Sequence, residues 1–254
     1  MKKIIMSGIA AFILIAAGSG SLVSAEGTSA FIDNAPVIGE YKPNSYYEQI
    51  EREKLEQLAI QSRATTPTAK SLSIKQVPQE KDNWCGYAAL KSLLDFEATV
   101  MTQKEIAEEV YDPNSPCPWY LSNGNSMSEF PAVQILRKNT GFAYVPYPLG
   151  AAGSTTITES DIKDKIVSTI CEEHGVLACG RSQPSGDSHL PKYPSSYISH
   201  WIVVTGYGNR GSTVMIADPA KSSAISWSKN IDATYSLKTY QLAAYVSEWR
   251  GIIW

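Results

Sequence analysis

Apolar positions recur at helical spacing through the first two thirds of the chain and at strand spacing after that. Residues 45–62 carry Tyr47, Ile50, Leu55 and Leu58 roughly on one face, with charged side chains around the rest. An apolar stripe with this period is typical of an amphipathic helix that packs against a core. The pattern therefore predicts a helix in this segment.

Four further segments have the apolar spacing and the end signals of helices. They cover residues 85–96, 102–111, about 127–139 and 158–173. Thr102 with Glu105, and Thr158 with Asp161, have the spacing of a capping box, in which two side chains bond the N–H groups of a first helical turn. These pairs predict where two of the four helices begin.

The pattern changes in the last third of the chain. Residues 176–180, 201–208 and 213–219 are short runs rich in β-branched residues and bounded by glycine or proline, as strands are. Helices come first and strands later, without strict alternation. This order predicts an α+β fold with an antiparallel sheet.

The N-terminus has the pattern of a secretory signal peptide. Residues 1–25 contain two lysines, an apolar run from Ile4 to Ala17, and a small-residue ending at Ala25. A membrane anchor is the alternative, but the run is shorter than the roughly 20 residues that span a bilayer. We expect cleavage after Ala25 and a secreted, extracellular protein that is not attached to a membrane.

Residues 26–70 differ in character from the chain that follows. They contain a loop-like start, the single amphipathic helix and a polar, proline-containing linker, RATTPTAKS, that continues to Ser71. We interpret this region as a propeptide and residues 71–254 as the folded domain. The alternative is an N-terminal extension of the same domain. The propeptide interpretation predicts a monomer that is inhibited by its own prosegment.

Composition narrows the class of protein. The 254 residues are 43% hydrophobic and 19% charged, as in a folded globular protein, and the formal net charge is −3. A negative balance without basic runs argues against a nucleic-acid partner, because phosphate binding requires a basic surface.

Secretion changes how the four cysteines are interpreted, because disulfides persist in oxidising compartments. Cys85, Cys117, Cys171 and Cys179 could all pair, in one of three connectivities. If Cys85 is catalytic instead, three cysteines remain and one is left over. Cys117–Cys171 and Cys171–Cys179 then both stay open.

Cys85 stands at the start of a predicted helix, where the helix dipole favours a reactive thiolate. A thiolate nucleophile also needs an imidazole, and the chain has three histidines. His174 ends a helix, where a basic side chain suits the dipole, and His189 lies in a polar loop that we expect to be exposed. His200 begins an apolar strand, which can hold its ring rigidly beside a cleft.

Two polar residues complete a possible catalytic set. Gln79 precedes Cys85 by six residues and could fold back to offer its amide to an oxyanion. Asp218 ends the strand after the one that His200 begins, so an antiparallel pairing could bring its carboxylate to the imidazole. An ordinary loop residue and a turn-opening aspartate are the alternatives for the two.

The segments QEKDNWC, WCGYAAL, SHWIVVTGY and IADPA together resemble papain-like cysteine peptidases, in particular the bacteriocin-processing peptidase-like and staphopain-like branches. The resemblance implies a helical half that carries the nucleophile and an antiparallel sheet half that carries the histidine and the aspartate. It implies Cys85 as nucleophile, His200 as base, Asp218 as its orienting partner and Gln79 as oxyanion donor. Papain itself has asparagine in the third role.

The same resemblance implies hydrolysis of peptide bonds in protein or peptide substrates, through a thioester acyl-enzyme. We expect no cofactor and no metal ion. Staphopain-like secreted enzymes carry an inhibitory prosegment, which agrees with the interpretation of residues 26–70. Trp84, Trp119, Trp201 and the tyrosine-rich residues 191–197 are candidates for a cleft lining.

Three other functions are compatible with the same sequence features. A thiol acyltransferase or transglutaminase-like enzyme would pass the acyl group to an amine rather than to water. A cell-wall amidase would cut peptidoglycan peptides. A catalytically inert binding module would keep the fold without an activated thiol.

Overall fold

The computed structural model describes residues 45–61, 66–110, 131–148 and 156–254. The predicted signal peptide with its cleavage position, Cys117 and Trp119 lie outside the described residues. Within the described ranges, no helix is both long enough and apolar enough to span a bilayer.

Six helices lie in the described part of the chain. They are α1 (Ser45–Gln61), α2 (Cys85–Phe96), α3 (Gln103–Val110), α4 (Pro131–Thr140), α5 (Glu159–Cys171) and α6 (Thr239–Ser247). The five predicted helices are confirmed, although the predicted start of the third segment, residues 127–130, is not described. The sequence pattern does not predict α6.

Both capping pairs form as predicted. The main-chain N–H of Thr102 donates to Glu105 Oε2 at 2.8 Å, and the N–H of Glu105 donates to Thr102 Oγ1 at 3.1 Å. At the start of α5, the N–H of Thr158 donates to Asp161 Oδ2 at 2.7 Å. Each carboxylate satisfies an N–H group that has no partner within its own helix.

In the described ranges of the chain, seven strands form one antiparallel sheet. They are β1 (Lys70–Ser71), β2 (Pro146–Tyr147), β3 (Val176–Ser182), β4 (Ile198–Gly208), β5 (Thr213–Ala217), β6 (Thr234–Lys238) and β7 (Gly251–Ile253). The order is β2-β7-β3-β4-β5-β6, and β1 pairs with β4. The predicted α+β class with an antiparallel sheet is confirmed. The pattern does not predict β1, β2, β6 or β7.

The central helix α2 packs against β4, and α3 and α4 pack against α2. Leu90, Leu93 and Leu94 of α2 are at most 1% exposed and lie in the main core. Burial of each leucine stabilises the fold by about 2 kcal/mol. Because these leucines fix α2 on the sheet, they also fix the position of Cys85 at its start.

Helix α1 is attached to the domain by buried contacts. Lys54 is 8% exposed, and its Nζ donates to the main-chain oxygens of Ala143 at 3.2 Å and Trp254 at 2.9 Å. The same nitrogen lies 4.3 and 4.2 Å from the ring centroids of Phe142 and Trp254. Burial lowers the pKa of Lys54 to about 7. Helix α1 thus packs where β7 ends.

The described cysteines, Cys85, Cys171 and Cys179, form no disulfide with one another. The Cys171–Cys179 pairing that the sequence left open is therefore not present. The Sγ of Cys171 lies 3.2 Å from the hydroxyl of Tyr207. Burial raises the pKa of Cys179 well above its usual range, which keeps that thiol protonated.

Candidate functional site

Cys85 is the first residue of α2 and is fully buried. A turn leads into it, in which the N–H of Trp84 donates to the carbonyl of Lys81 at 3.1 Å. Trp84 is the cap residue and makes no side-chain cap hydrogen bond to the first turn. The positive end of the helix dipole therefore lies beside the sulfur, which favours its thiolate form.

His200 lies near the start of β4, directly opposite Gly180 of β3. A Cβ atom at Gly180 would come within 2.3 Å of the main-chain oxygen of Tyr245, so only glycine allows α6 to approach this closely. The approach lets the Tyr245 hydroxyl donate to the main-chain oxygen of His200 at 2.6 Å. This hydrogen bond thereby holds the backbone that carries the imidazole.

The imidazole of His200 interacts with a carboxylate and a thiol. Its Nε2 is 2.8 Å from Asp218 Oδ1, and both side chains are fully buried. Its Nδ1 forms no hydrogen bond within the described residues, and interaction with the Cys85 thiol is one of the causes that raise the pKa of the ring. The antiparallel pairing of Val203 with Ala217 places Asp218 at this end of β5, as the sequence order predicts.

The electrostatics of the pair favour an ionised state at neutral pH. Burial opposes a charge on His200, but attraction to Asp218 and hydrogen bonds with Asp218 and Cys85 raise its pKa to about 9. Burial also opposes a charge on Asp218, but attraction to His200 and several hydrogen bonds lower the pKa of that carboxyl below its usual range. The imidazole therefore keeps its proton next to a carboxylate.

Asp218 accepts four hydrogen bonds. Oδ1 accepts from His200 and from the main-chain N–H of Ala220 at 2.9 Å. Oδ2 accepts from the hydroxyls of Tyr193 and Tyr235, each at 2.8 Å. The carboxylate has about four lone-pair positions, so all of its acceptor capacity is used.

The sequence alone does not identify these tyrosines as partners of Asp218. Tyr193 lies in the tyrosine-rich segment that was a candidate cleft lining, and Tyr235 lies in β6, which the pattern does not predict. No local signal marks a tyrosine that bonds a distant carboxylate. The third tyrosine, Tyr245, lies in α6, which the pattern also misses.

Gln79 is buried, and its side chain lies over the turn that precedes Cys85. Its Nε2 donates to the carbonyls of Lys81 and Asp82, both at 2.8 Å. Its main-chain N–H donates to Pro219 at 3.0 Å, and its carbonyl accepts from Ser222 Oγ at 2.5 Å. Gln79 therefore joins the turn before Cys85 to the segment that follows Asp218.

The other two histidines have structural contacts away from this cluster. His174 Nδ1 is 2.6 Å from Glu97 Oε1, and its ring stacks on Phe142 with the centroids 4.0 Å apart. His189 is half-buried rather than exposed, because its Nδ1 bonds the carbonyl of Gln183 at 2.6 Å.

Two of the tryptophans proposed for a cleft lining are buried instead. Trp201 is fully buried in the core, and Trp84 is 2% exposed. Lys81 Nζ lies 3.9 Å from the centroid of the Trp84 ring, and Tyr87 packs edge-on against that ring. Both tryptophans therefore support the core around α2.

Residues 71–248 match the sequence profile of the Peptidase_C39 like family. No curated protein matches the chain. Among solved structures, a C39-like peptidase of Bacillus anthracis is 16% identical, with 74% of this chain and 96% of that chain covered and a TM-score of 0.44.

Two further structures are similar at lower identity. Xylellain, a cysteine protease from Xylella fastidiosa, is 12% identical, with 91% of this chain and 96% of that chain covered and a TM-score of 0.44. Digestive procathepsin L 3 of the Tenebrio molitor larval midgut is 10% identical, with 76% and 71% covered and a TM-score of 0.42.

Proposed function

Because the chain belongs to the Peptidase_C39 like family and is a cysteine peptidase, we propose that it is a secreted endopeptidase with a Cys85–His200–Asp218 triad. The family match confirms the resemblance to papain-like cysteine peptidases. The observation that carries the triad is the buried His200 ring, which bonds Asp218 at 2.8 Å and whose pKa is raised by interactions with both Asp218 and Cys85. Such an arrangement activates a thiol and orients its base.

In the proposed mechanism, the proton of the Cys85 thiol lies on His200, and Asp218 stabilises the imidazolium. The sulfur attacks the carbonyl carbon of the scissile peptide, and a C–S bond forms as the carbonyl oxygen becomes an oxyanion. The main-chain N–H of Cys85, at the start of α2, can donate to that oxygen.

His200 then gives its proton to the leaving nitrogen, and the C–N bond breaks. The acyl group remains on Cys85 as a thioester. A water molecule attacks this thioester while His200 accepts its proton, and the carboxylic acid product leaves with the thiolate restored.

Gln79 is our candidate for the second oxyanion donor. Both of its amide hydrogens bond main-chain carbonyls of the turn before Cys85, so one of them must turn toward the substrate during the reaction. We expect Gln79→Ala to lower kcat by about 10²- to 10³-fold, the usual effect of losing one oxyanion donor. Steady-state kinetics on a peptide substrate measure this change.

Gln103→Ala is the matched control for Gln79→Ala. Gln103 is equally buried, and it holds the same segment by donating to the carbonyl of Pro78 at 2.8 Å. If Gln79 only shapes the loop, both variants will lower the melting temperature and keep a kcat similar to that of wild type. That result would contradict the oxyanion role.

The raised pKa of His200 sets the alkaline limit of hydrolysis. The imidazolium that protonates the leaving amine persists up to a pKa of about 9 and is lost above it. We expect kcat/KM to fall above about pH 9, approaching tenfold per pH unit, while alkylation of the thiolate by iodoacetamide continues. A kcat/KM that still rises between pH 9 and 10 would contradict this assignment.

Incubation with an unfolded protein such as denatured casein tests the proposed function. We expect internal cleavage products, which distinguish an endopeptidase from an enzyme that trims ends. Addition of a primary amine tests the acyltransferase alternative, since transfer to the amine would then exceed hydrolysis.

We also propose that residues 26–70 are a prosegment that is removed after secretion. The contacts of α1 with the domain support binding within one chain. The described contacts of Lys54 lie beside Trp254. The preceding residue, Ile253, pairs with Leu177 of β3, which is three residues before the strand position opposite His200. These contacts support a stabilising role for α1 rather than direct coverage of the thiol.

N-terminal sequencing of active, secreted protein should find a start near residue 71, and a start at Glu26 would contradict removal.

A further inference from the structure

Two tyrosine hydroxyls converge on one oxygen of Asp218, the oxygen that does not bond His200. Tyr193 comes from the segment between β3 and β4, and Tyr235 comes from β6. Each hydroxyl is 2.8 Å from Oδ2. Burial and the negative charge of Asp218 raise the pKa of both tyrosines well above the usual range, so both keep the proton that they donate.

We propose that Tyr193 and Tyr235 are positioning residues, which hold the Asp218 carboxylate ionised and correctly oriented and thereby align the His200 ring with Cys85. The inference rests on the proposed function of the triad. Neither tyrosine is proposed to contact the substrate. Both act through Asp218.

The geometry supports orientation of the carboxylate. Rotation of the carboxylate about the Cβ–Cγ bond of Asp218 would displace Oδ2 together with Oδ1, which bonds His200 and Ala220. Two donors on Oδ2 oppose that rotation from two separate elements of the fold. Tyr193 is itself held by packing, because its ring lies 5.1 Å from the Trp227 ring and 6.1 Å from the His200 ring, centroid to centroid.

The chemistry supports stabilisation of the charge. Asp218 is fully buried, and a buried carboxylate tends to take up a proton. Hydrogen bonds donated to the ionised form oppose that tendency. A neutral Asp218 would no longer stabilise the imidazolium of His200, so the tyrosines extend the activity of the triad to lower pH.

The test compares wild type with Tyr193→Phe and Tyr235→Phe. Each change removes one donor to a charged acceptor and keeps the ring. We expect each variant to lower kcat about tenfold with KM unchanged, and to move the acidic limb of the kcat/KM profile to higher pH. The rate of iodoacetamide labelling of Cys85, measured as a function of pH, should show the same shift without any substrate.

Tyr144→Phe is the matched control. Its hydroxyl is buried and donates to the carbonyl of Gly175 at 3.0 Å, away from the triad. It should lose stability like the other two variants but keep the wild-type pH profile. If Tyr193→Phe and Tyr235→Phe behave like Tyr144→Phe, the tyrosines are merely structural and the positioning role is wrong.

A double-mutant cycle with Asp218→Asn tests whether the tyrosines act through the carboxylate. Because the tyrosines act through the carboxylate, Tyr235→Phe should lower kcat in wild type but not further in the Asp218→Asn background. Equal fold-losses in both backgrounds would overturn the proposal.

The failure of this inference is distinguishable from failure of the proposed function. If Cys85→Ala and Asp218→Asn abolish or lower hydrolysis while both tyrosine variants match wild type, only the positioning role is wrong. If Cys85→Ala hydrolyses peptides like wild type, the triad itself is wrong and the positioning role falls with it.

Discussion

Cys85→Ala will abolish peptide hydrolysis while leaving the fold intact. Without the sulfur no thioester can form, and loss of the nucleophile from a triad lowers kcat on the order of 10⁶-fold. Alanine has a high helix propensity and replaces a buried, small side chain at the first residue of α2. Hydrolysis of denatured casein measures the activity, and a far-UV circular dichroism spectrum measures whether the fold is intact.

Cys171→Ala is the control for Cys85→Ala. Cys171 is a half-buried thiol at the end of α5, and its sulfur contacts Tyr207 rather than a histidine. The control variant should hydrolyse casein at the wild-type rate. A folded Cys85→Ala protein that retains wild-type activity would end the proposal of a thiol nucleophile at this position.

Asp218→Asn will lower both stability and activity. The carboxylate accepts four hydrogen bonds, whereas an asparagine side chain has one carbonyl oxygen and two N–H donors of its own. At least two buried donors then lose their acceptor. At about 1–3 kcal/mol for each, we expect the free energy of unfolding to fall by about 2–6 kcal/mol, measured by urea denaturation.

The same substitution removes the attraction that does most to raise the pKa of His200. The basic limb of the kcat/KM profile should therefore move from about pH 9 to lower pH. We expect kcat to fall by at least about 100-fold, because the imidazolium loses its stabilising partner.

Asp232→Asn is the control for Asp218→Asn. Asp232 is half exposed, and its carboxylate pairs with Lys192 at 2.6 Å on the surface. Exposed pairs of this kind contribute about 0–1 kcal/mol, so the control should keep wild-type stability and activity. If Asp218→Asn resembles this control, the carboxylate charge has no part in the reaction.

The helical half of the fold is predictable because its signals are local. Helix α2 begins at Cys85 and ends at Phe96 as predicted, since its alanine and leucine residues at helical spacing all lie within one segment. The two capping pairs are equally local, with partners three residues apart. Such interactions do not depend on the remainder of the chain.

The end of the chain is less predictable for the opposite reason. Strand β7 has three residues and β2 has two, and they pair with each other across more than a hundred residues of sequence. A strand this short has no period of its own. Its position is set by the partners that complete its hydrogen bonds, and these are known only once the sheet exists.

By itself, the sequence determined the residue types available for thiol chemistry and the local structure around them. Cys85 precedes a helical run, His200 begins a β-branched run, and Asp218 ends the following one, so an antiparallel pairing was enough to expect their proximity. These inferences depend on short-range periodicity and chain order.

Only the tertiary structure decided how the carboxylate is held and where the amide of Gln79 points. Tyr193 and Tyr235 reach Asp218 from two separate elements, and the Nε2 of Gln79 bonds the turn beside it. Hydrogen bonds are directional and act over about 3 Å, so they depend on the register of strands and the packing of loops. Neither register nor loop packing is encoded in the period of a single segment.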